Sequence, residues 1–161
     1  MRSKWIVVAA VAALAVPVSA SAVINQTDYK NASKFCKALR ADMEKTTPGS
    51  FKLTYGTNKN RSNAFGKCVS KNAKTVDEIH SSAVQQCKAA GTKPFGKCVS
   101  STEHQAQVEQ QDAIVNAAKD CRTERAADPN AFRDKYGTNH NKRNAFGKCV
   151  SKHVAQNNQQ P

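Results

Sequence analysis

The chain has 161 residues, with 25 Lys and Arg against 12 Asp and Glu, a formal charge of +13 and six cysteines. From residue 23 onward only 20 residues are Leu, Ile, Val or Phe, and Leu39 and Leu53 are the leucines among them. A basic chain this poor in large apolar side chains does not offset its ordering entropy by burial alone. It is therefore either disordered or held covalently, and a conventional enzyme with an apolar-lined cleft is disfavoured.

Residues 1–22 read as a secretory signal. Arg2 and Lys4 form a charged start, Trp5–Val16 is an apolar stretch of 12 residues, and Pro17 ends it. Val18-Ser19-Ala20 and Ala20-Ser21-Ala22 both place small residues before a cleavage point. A bilayer span needs about 20 apolar residues, so the stretch is too short for an anchor. Cleavage would leave 23 basic residues against 12 acidic ones. The expected product is a secreted disulfide-stapled helical repeat domain over residues 23–157, with 158–161 a disordered tail.

The helices follow in chain order. Residues 27–46 set Tyr29, Ala32, Cys36, Leu39 and Met43 three or four apart, a helical stripe. A second stripe runs through Phe65, Cys68, Val69, Val76, Ile79, Ala83 and Cys87, predicting a helix from near Asn63 to Ala90 that Gly91 ends. Pro94 then opens a third helix at a first-turn position. Its stripe of smaller residues is Phe95, Cys98, Ala106, Ala113, Ala117 and Cys121, reaching about Ala127. Asp128-Pro129, followed by Phe132, Tyr136 and Gly137, predicts a capped two-turn helix. The last main helix starts near Asn144. No alternating β-branched run predicts a strand.

An internal repeat organises these elements. Tyr55–Lys71 and Tyr136–Lys152 are identical at 14 of 17 positions, and Phe95–Ser100 is a truncated third copy. Each copy has an upstream cysteine, giving three units of the form Cys…Phe-Gly-Lys-Cys-Val-Ser. Six cysteines allow fifteen connectivities. Positions along adjacent antiparallel helices, at 1.5 Å per residue, favour Cys36–Cys68, Cys87–Cys98 and Cys121–Cys149. The predicted fold class is thus all-α: four main helices as consecutive antiparallel hairpins, each clamped by one disulfide, with short helical inserts. Gly66, Gly96 and Gly147, two residues before a cysteine, are expected to let the partner backbone approach for the bridge. The Asn-Ala-Phe-Gly-Lys-Cys-Val-Ser motif with upstream Tyr-Gly-Thr-Asn resembles repeats in small exported actinobacterial proteins of uncharacterised function. The resemblance covers most of 115–155 and, less tightly, 32–74; it implies an exported helical protein and carries no activity with it.

Chemistry-bearing constellations are sparse. No C-x-x-C or H-x-x-x-H occurs, and His80, His104, His140 and His153 fall in different segments, so no metal site or cofactor is expected. Asn58, Asn60 and Asn63 and their twins Asn139, Asn141 and Asn144 have the spacing of a calcium loop without its carboxylates. They are read as left-handed turn residues and helix caps. Ser70, Ser100 and Ser151 each follow a repeat cysteine by two residues. Only Ser151 has a nearby histidine, His153, and a two-residue step on a helix does not face it. No catalytic residue is assigned.

Charge says more. Residues 47–68 carry a net +4 and residues 128–149 a net +3. An up-down-up-down arrangement puts both inserts at one end, where the N-termini of the second and fourth main helices also point. Lys59, Arg61, Lys67, Lys142, Arg143 and Lys148 are the candidate anion-binding residues. The expected partner is an anionic polymer or surface: cell wall, lipid or nucleic acid. Lys37, Lys71, Lys74 and Lys119 are expected to be ordinary helix-surface positions. Tyr55 and Tyr136 either stack on bases or cover a disulfide. The alternative function is a structural or protein-interaction module, with the Gln-rich stretch Ser101–Asp112 as its partner surface.

Overall fold

The computed structural model describes residues 32–157. The signal segment 1–22, Tyr29 and the tail 158–161 lie outside the described residues. Within them the chain is all-α, with α1 (Ala32–Thr46), α2 (Ser50–Tyr55), α3 (Ala64–Ala89), α4 (Phe95–Ala127), α5 (Pro129–Tyr136) and α6 (Ala145–Asn157). α1, α3, α4 and α6 are the four main helices, and α2 and α5 are the helical parts of the two inserts. At 1.5 Å per residue, the 26 residues of α3 and 33 of α4 make rods of roughly 39 and 50 Å.

Local chemistry sets the element ends. Asp128 accepts hydrogen bonds from the Asn130 and Ala131 amides, and Pro129 sits in the first turn, so α5 is capped as its sequence predicts. Gly91 takes φ of 61° just beyond α3 and donates its amide to the Lys88 carbonyl, a left-handed stop that suits glycine. Pro94 lies at the N-cap of α4, one position before the first helical turn.

All six cysteines are bridged. Cys36–Cys68 joins α1 to α3, Cys87–Cys98 joins α3 to α4, and Cys121–Cys149 joins α4 to α6, with Cα separations of 6.0, 5.9 and 6.0 Å. The main core gathers the inward faces of all six helices, with Phe35, Leu39, Met43 and Phe51 among its fully buried side chains. A separate small cluster of Ala83, Cys87 and Val99 surrounds the second bridge. The inserts repeat one aromatic device: Phe51 with Tyr55, and Phe132 with Tyr136, are tilted ring pairs with centroids 5.1 and 5.0 Å apart.

Two expectations are overturned here. The α4 stripe holds at Ala117 and Cys121 but is otherwise turned, because Gln107, Gln111, Ile114, Val115 and Ala118 are buried while Ala106 and Ala113 are only half-buried. α4 packs on α1 as well as on α3 and α6. That third neighbour covers positions a small-residue stripe would leave outside, and Gln111 Nε2 donates to the Asp42 carboxylate of α1 across the contact. Burial of Gln107 and Gln111 also removes two side chains from the proposed interaction surface Ser101–Asp112. The glycine reading is the second correction. A Cβ on Gly66 or Gly96 would meet nothing within 4 Å, so neither glycine admits a disulfide partner. Gly147 does sit under a close approach, but of the Thr54 carbonyl of α2, at 2.5 Å from where a Cβ would stand.

A cationic cleft between the two inserts

Each Tyr-Gly-Thr-Asn insert is clasped by its last asparagine. Asn63 Oδ1 accepts from the Thr57 and Asn58 amides at 3.0 and 3.5 Å, and its Nδ2 donates to Thr57 Oγ1 at 2.7 Å. Asn144 makes the same three bonds with Thr138 and Asn139, at 3.1, 3.5 and 2.7 Å. Asn60 and Asn141 accept from the amides of Ser62 and Arg143, two residues on. Between them Arg61 and Lys142 take the left-handed conformation, at φ of 58° and 51°. This corrects the asparagine reading. Their carboxamides are needed as acceptors for loop amides, so the left-handed residue falls between them, and Asn63 at the α3 N-cap makes no side-chain cap bond.

The two inserts then lock onto each other. Arg61 Nη2 donates to the Arg143 carbonyl at 3.2 Å, and Arg143 Nη2 donates to the Lys59 carbonyl at 2.7 Å. Arg61 Nη1 also reaches the Lys52, Leu53 and Gly56 carbonyls at 3.3, 3.1 and 3.4 Å. The Lys52 carbonyl also takes the Gly56 amide that closes α2, and the guanidinium adds a donor for the Leu53 and Gly56 carbonyls beyond that bond.

Under this junction lies a cleft of about 540 Å³ between α2 with the start of α3 on one side and the start of α6 on the other. Its cations are Arg61, Lys67, Lys71, Arg143 and Lys148, and among the described residues no carboxylate lines it. Leu53 and Tyr55 supply apolar surface, and Ser70 and Ser151 hydroxyls. Lys71 Nζ donates to Ser151 Oγ at 2.7 Å and lies 5.9 Å from the Tyr55 ring centroid. Partial burial, with the Lys148 ammonium nearby, holds Lys71 below the usual lysine range. Burial, with Arg143 and Arg125, lowers Arg61 in the same direction.

Four of the six candidate residues line this cleft: Arg61, Lys67, Arg143 and Lys148. Lys142 instead pairs with Asp134, and Lys59 contributes its carbonyl to the Arg143 contact. Lys71, expected as an ordinary surface position, belongs to the cleft. Its signal was present in the sequence, since it follows Lys67 by one helical turn and shares that face.

Tyr55 and Tyr136 are each only 5% exposed, which removes them as stacking platforms for bases. Tyr136 donates its hydroxyl to Glu124 at 2.8 Å, and Asn72, which bonds Tyr55, lies 3.5 Å from Cys68 Sγ. Burial pushes the Tyr55 phenol up to about 12, with the Asn72 bond opposing. A raised acid favours the folded state fully below its ordinary titration, and that contribution is lost as pH climbs through the folded value. Unfolding free energy is therefore expected to fall by roughly 2 kcal/mol more in the parent than in Tyr55→Phe as pH rises from 10.0 to about 12. Urea melts across that range check it; parallel curves for the two proteins would refute it.

Ser151 and His153, two residues apart on α6, have separate partners. Ser151 Oγ donates to the Gly147 carbonyl, while His153 faces Tyr136 at 3.5 Å and Asp120 at 3.9 Å. His153 also lies beside Cys121 and Cys149, but those sulfurs are bonded to each other and are not available as thiolate ligands. No known protein family, curated protein or solved structure is matched by this chain, so the geometry carries the functional argument.

Proposed function

We propose that this is a non-enzymatic exported protein that contacts an anionic polymer or surface through the end where its two basic inserts meet. The signal segment 1–22 and the three disulfides support export, because such bridges persist in oxidising extracytoplasmic compartments. Among the described residues no helix is long and apolar enough to cross a membrane. We also read α1–α3, α3–α4 and α4–α6 as consecutive antiparallel hairpins, one disulfide to each, a scaffold that brings residues 47–68 and 128–149 to the same place. The observation carrying the functional reading is the cleft lined by five cations and, among the described residues, no carboxylate.

The test uses the lysines rather than the arginines, because Arg61 and Arg143 hold loop carbonyls and their loss would disturb the inserts. Binding of a DNA duplex across a salt series is expected to weaken when Lys67, Lys71 and Lys148 become Gln. The slope of log K against log salt should flatten by about 2 to 3, at roughly 0.9 for each phosphate no longer neutralised. Gln at Lys37, Lys74 and Lys119 should change the slope much less, and Lys-to-Gln exchange barely alters helical propensity. Equal losses from both sets would mean that only diffuse charge matters.

A further inference from the structure

We infer that the cleft's own ligand is a compact anion carrying two or three adjacent phosphate groups, an inference that rests on the anion-contact reading and narrows it. The first ground is which donors are left to grip a ligand. A planar guanidinium fork grips carboxylates and phosphates alike through paired hydrogen bonds. Here backbone takes both Nη atoms of Arg61, at the carbonyls of Leu53 and Arg143, and one Nη of Arg143, at that of Lys59. The arginines therefore act as fixed positive walls, and Lys67, Lys71 and Lys148 are left to do the gripping. An ammonium is a compact point charge with rotatable donors and is a common partner of phosphate oxygens.

Size is the second ground. About 540 Å³ lies within the range of small-ligand sites, and the crossed arginine bonds bridge the cleft where the inserts meet. A long polymer could place only a short segment there. Charge density is the third. Lys148 already presses on Lys71 and Arg143 on Arg61. A singly charged ligand would leave most of these cations repelling one another, whereas adjacent phosphates neutralise several together.

Isothermal titration of the oxidised protein with inorganic diphosphate, tripolyphosphate and citrate at one ionic strength tests this. Diphosphate carries nearly the charge of citrate at neutral pH, so geometry separates them. The phosphates should saturate one site per chain, with diphosphate about tenfold tighter than citrate, a difference of about 1.4 kcal/mol. K67Q/K148Q should lose about tenfold in phosphate affinity with its circular dichroism unchanged, and K37Q/K119Q should bind like the parent. Geranyl diphosphate separates two sources of the same chemistry: tighter binding than inorganic diphosphate indicates a lipid-borne headgroup, equal binding a soluble phosphate, and either supports the phosphate class. Equal affinity for citrate and diphosphate overturns that class, and undiminished binding by K67Q/K148Q overturns the location. Salt-dependent DNA binding without a saturable phosphate site overturns the compact ligand and leaves the anion-contact reading standing. No binding to either overturns both.

Discussion

Reduction of the three disulfides at 37 °C is expected to abolish most of the helical circular dichroism signal. The bridges close sequence separations of 32, 11 and 28 residues. The chain-entropy model assigns about 3 to 4 kcal/mol to each. Their sum, about 10 kcal/mol, is comparable to the whole stability of an ordinary domain at 5–15 kcal/mol. The core that remains is small: beyond Phe35, Leu39, Met43 and Phe51, many of its members are alanines, valines and the cysteines themselves. The bridges should not be equivalent. Cys36–Cys68 and Cys121–Cys149 lie inside the main core, whereas Cys87–Cys98 holds the small cluster with Ala83 and Val99. Replacing only Cys87 and Cys98 with Ala should therefore leave the main core melting cooperatively at a lower temperature. A fully reduced protein that melts at an unchanged temperature would show that burial alone holds this fold.

Gly147→Ala is expected to destabilise the protein by about 1 to 3 kcal/mol, the usual cost of forcing an extra methyl into a closed contact. Gly66→Ala should be neutral or stabilising by up to about 1 kcal/mol, since alanine is the better helix former. The contrast is sharp because both glycines sit in the same sequence, Asn-Ala-Phe-Gly-Lys-Cys-Val-Ser. Only their surroundings differ. A methyl on Gly147 would stand 2.5 Å from the Thr54 carbonyl, and one on Gly66 would meet nothing within 4 Å. Thr54 belongs to backbone at the end of α2, which cannot swing aside as a long side chain would. Chemical melts of the two variants measure the difference directly, and matched stabilities would refute the close approach. Because Gly147 lines the cationic cleft, Gly147→Ala should also weaken phosphate binding relative to Gly66→Ala.

Much of the architecture was legible in the linear pattern. Apolar residues three and four apart, Asp128-Pro129 and Gly91 placed the helices and their ends, because these signals act through neighbours one turn away. The cysteine pairing followed from the same arithmetic: offsets along adjacent rods at a fixed rise leave few partners within reach. Charge content located the basic inserts for a similar reason, since it depends on composition and not on orientation.

Contacts across the fold decided the rest. Gln111 is buried where α1 packs against α4 and Asp42 accepts its bond, and no local period reports a third neighbour. The different fates of Gly66 and Gly147 depend on what lies opposite each repeat, which identical sequences cannot encode locally. Arg61 and Arg143 changed from free surface charges to braces because each found a carbonyl more than 80 residues away. Lys71 shares the Lys67 face by spacing alone, but Ser151 of α6, 2.7 Å away, is what makes that face a wall of the cleft. Hydrogen-bond geometry is set over about 3 Å, whereas sequence patterns fix a side chain's direction only to within a helix face. The helices and their bridges therefore follow from spacing along the chain, and the cleft follows from which faces the three disulfides bring together.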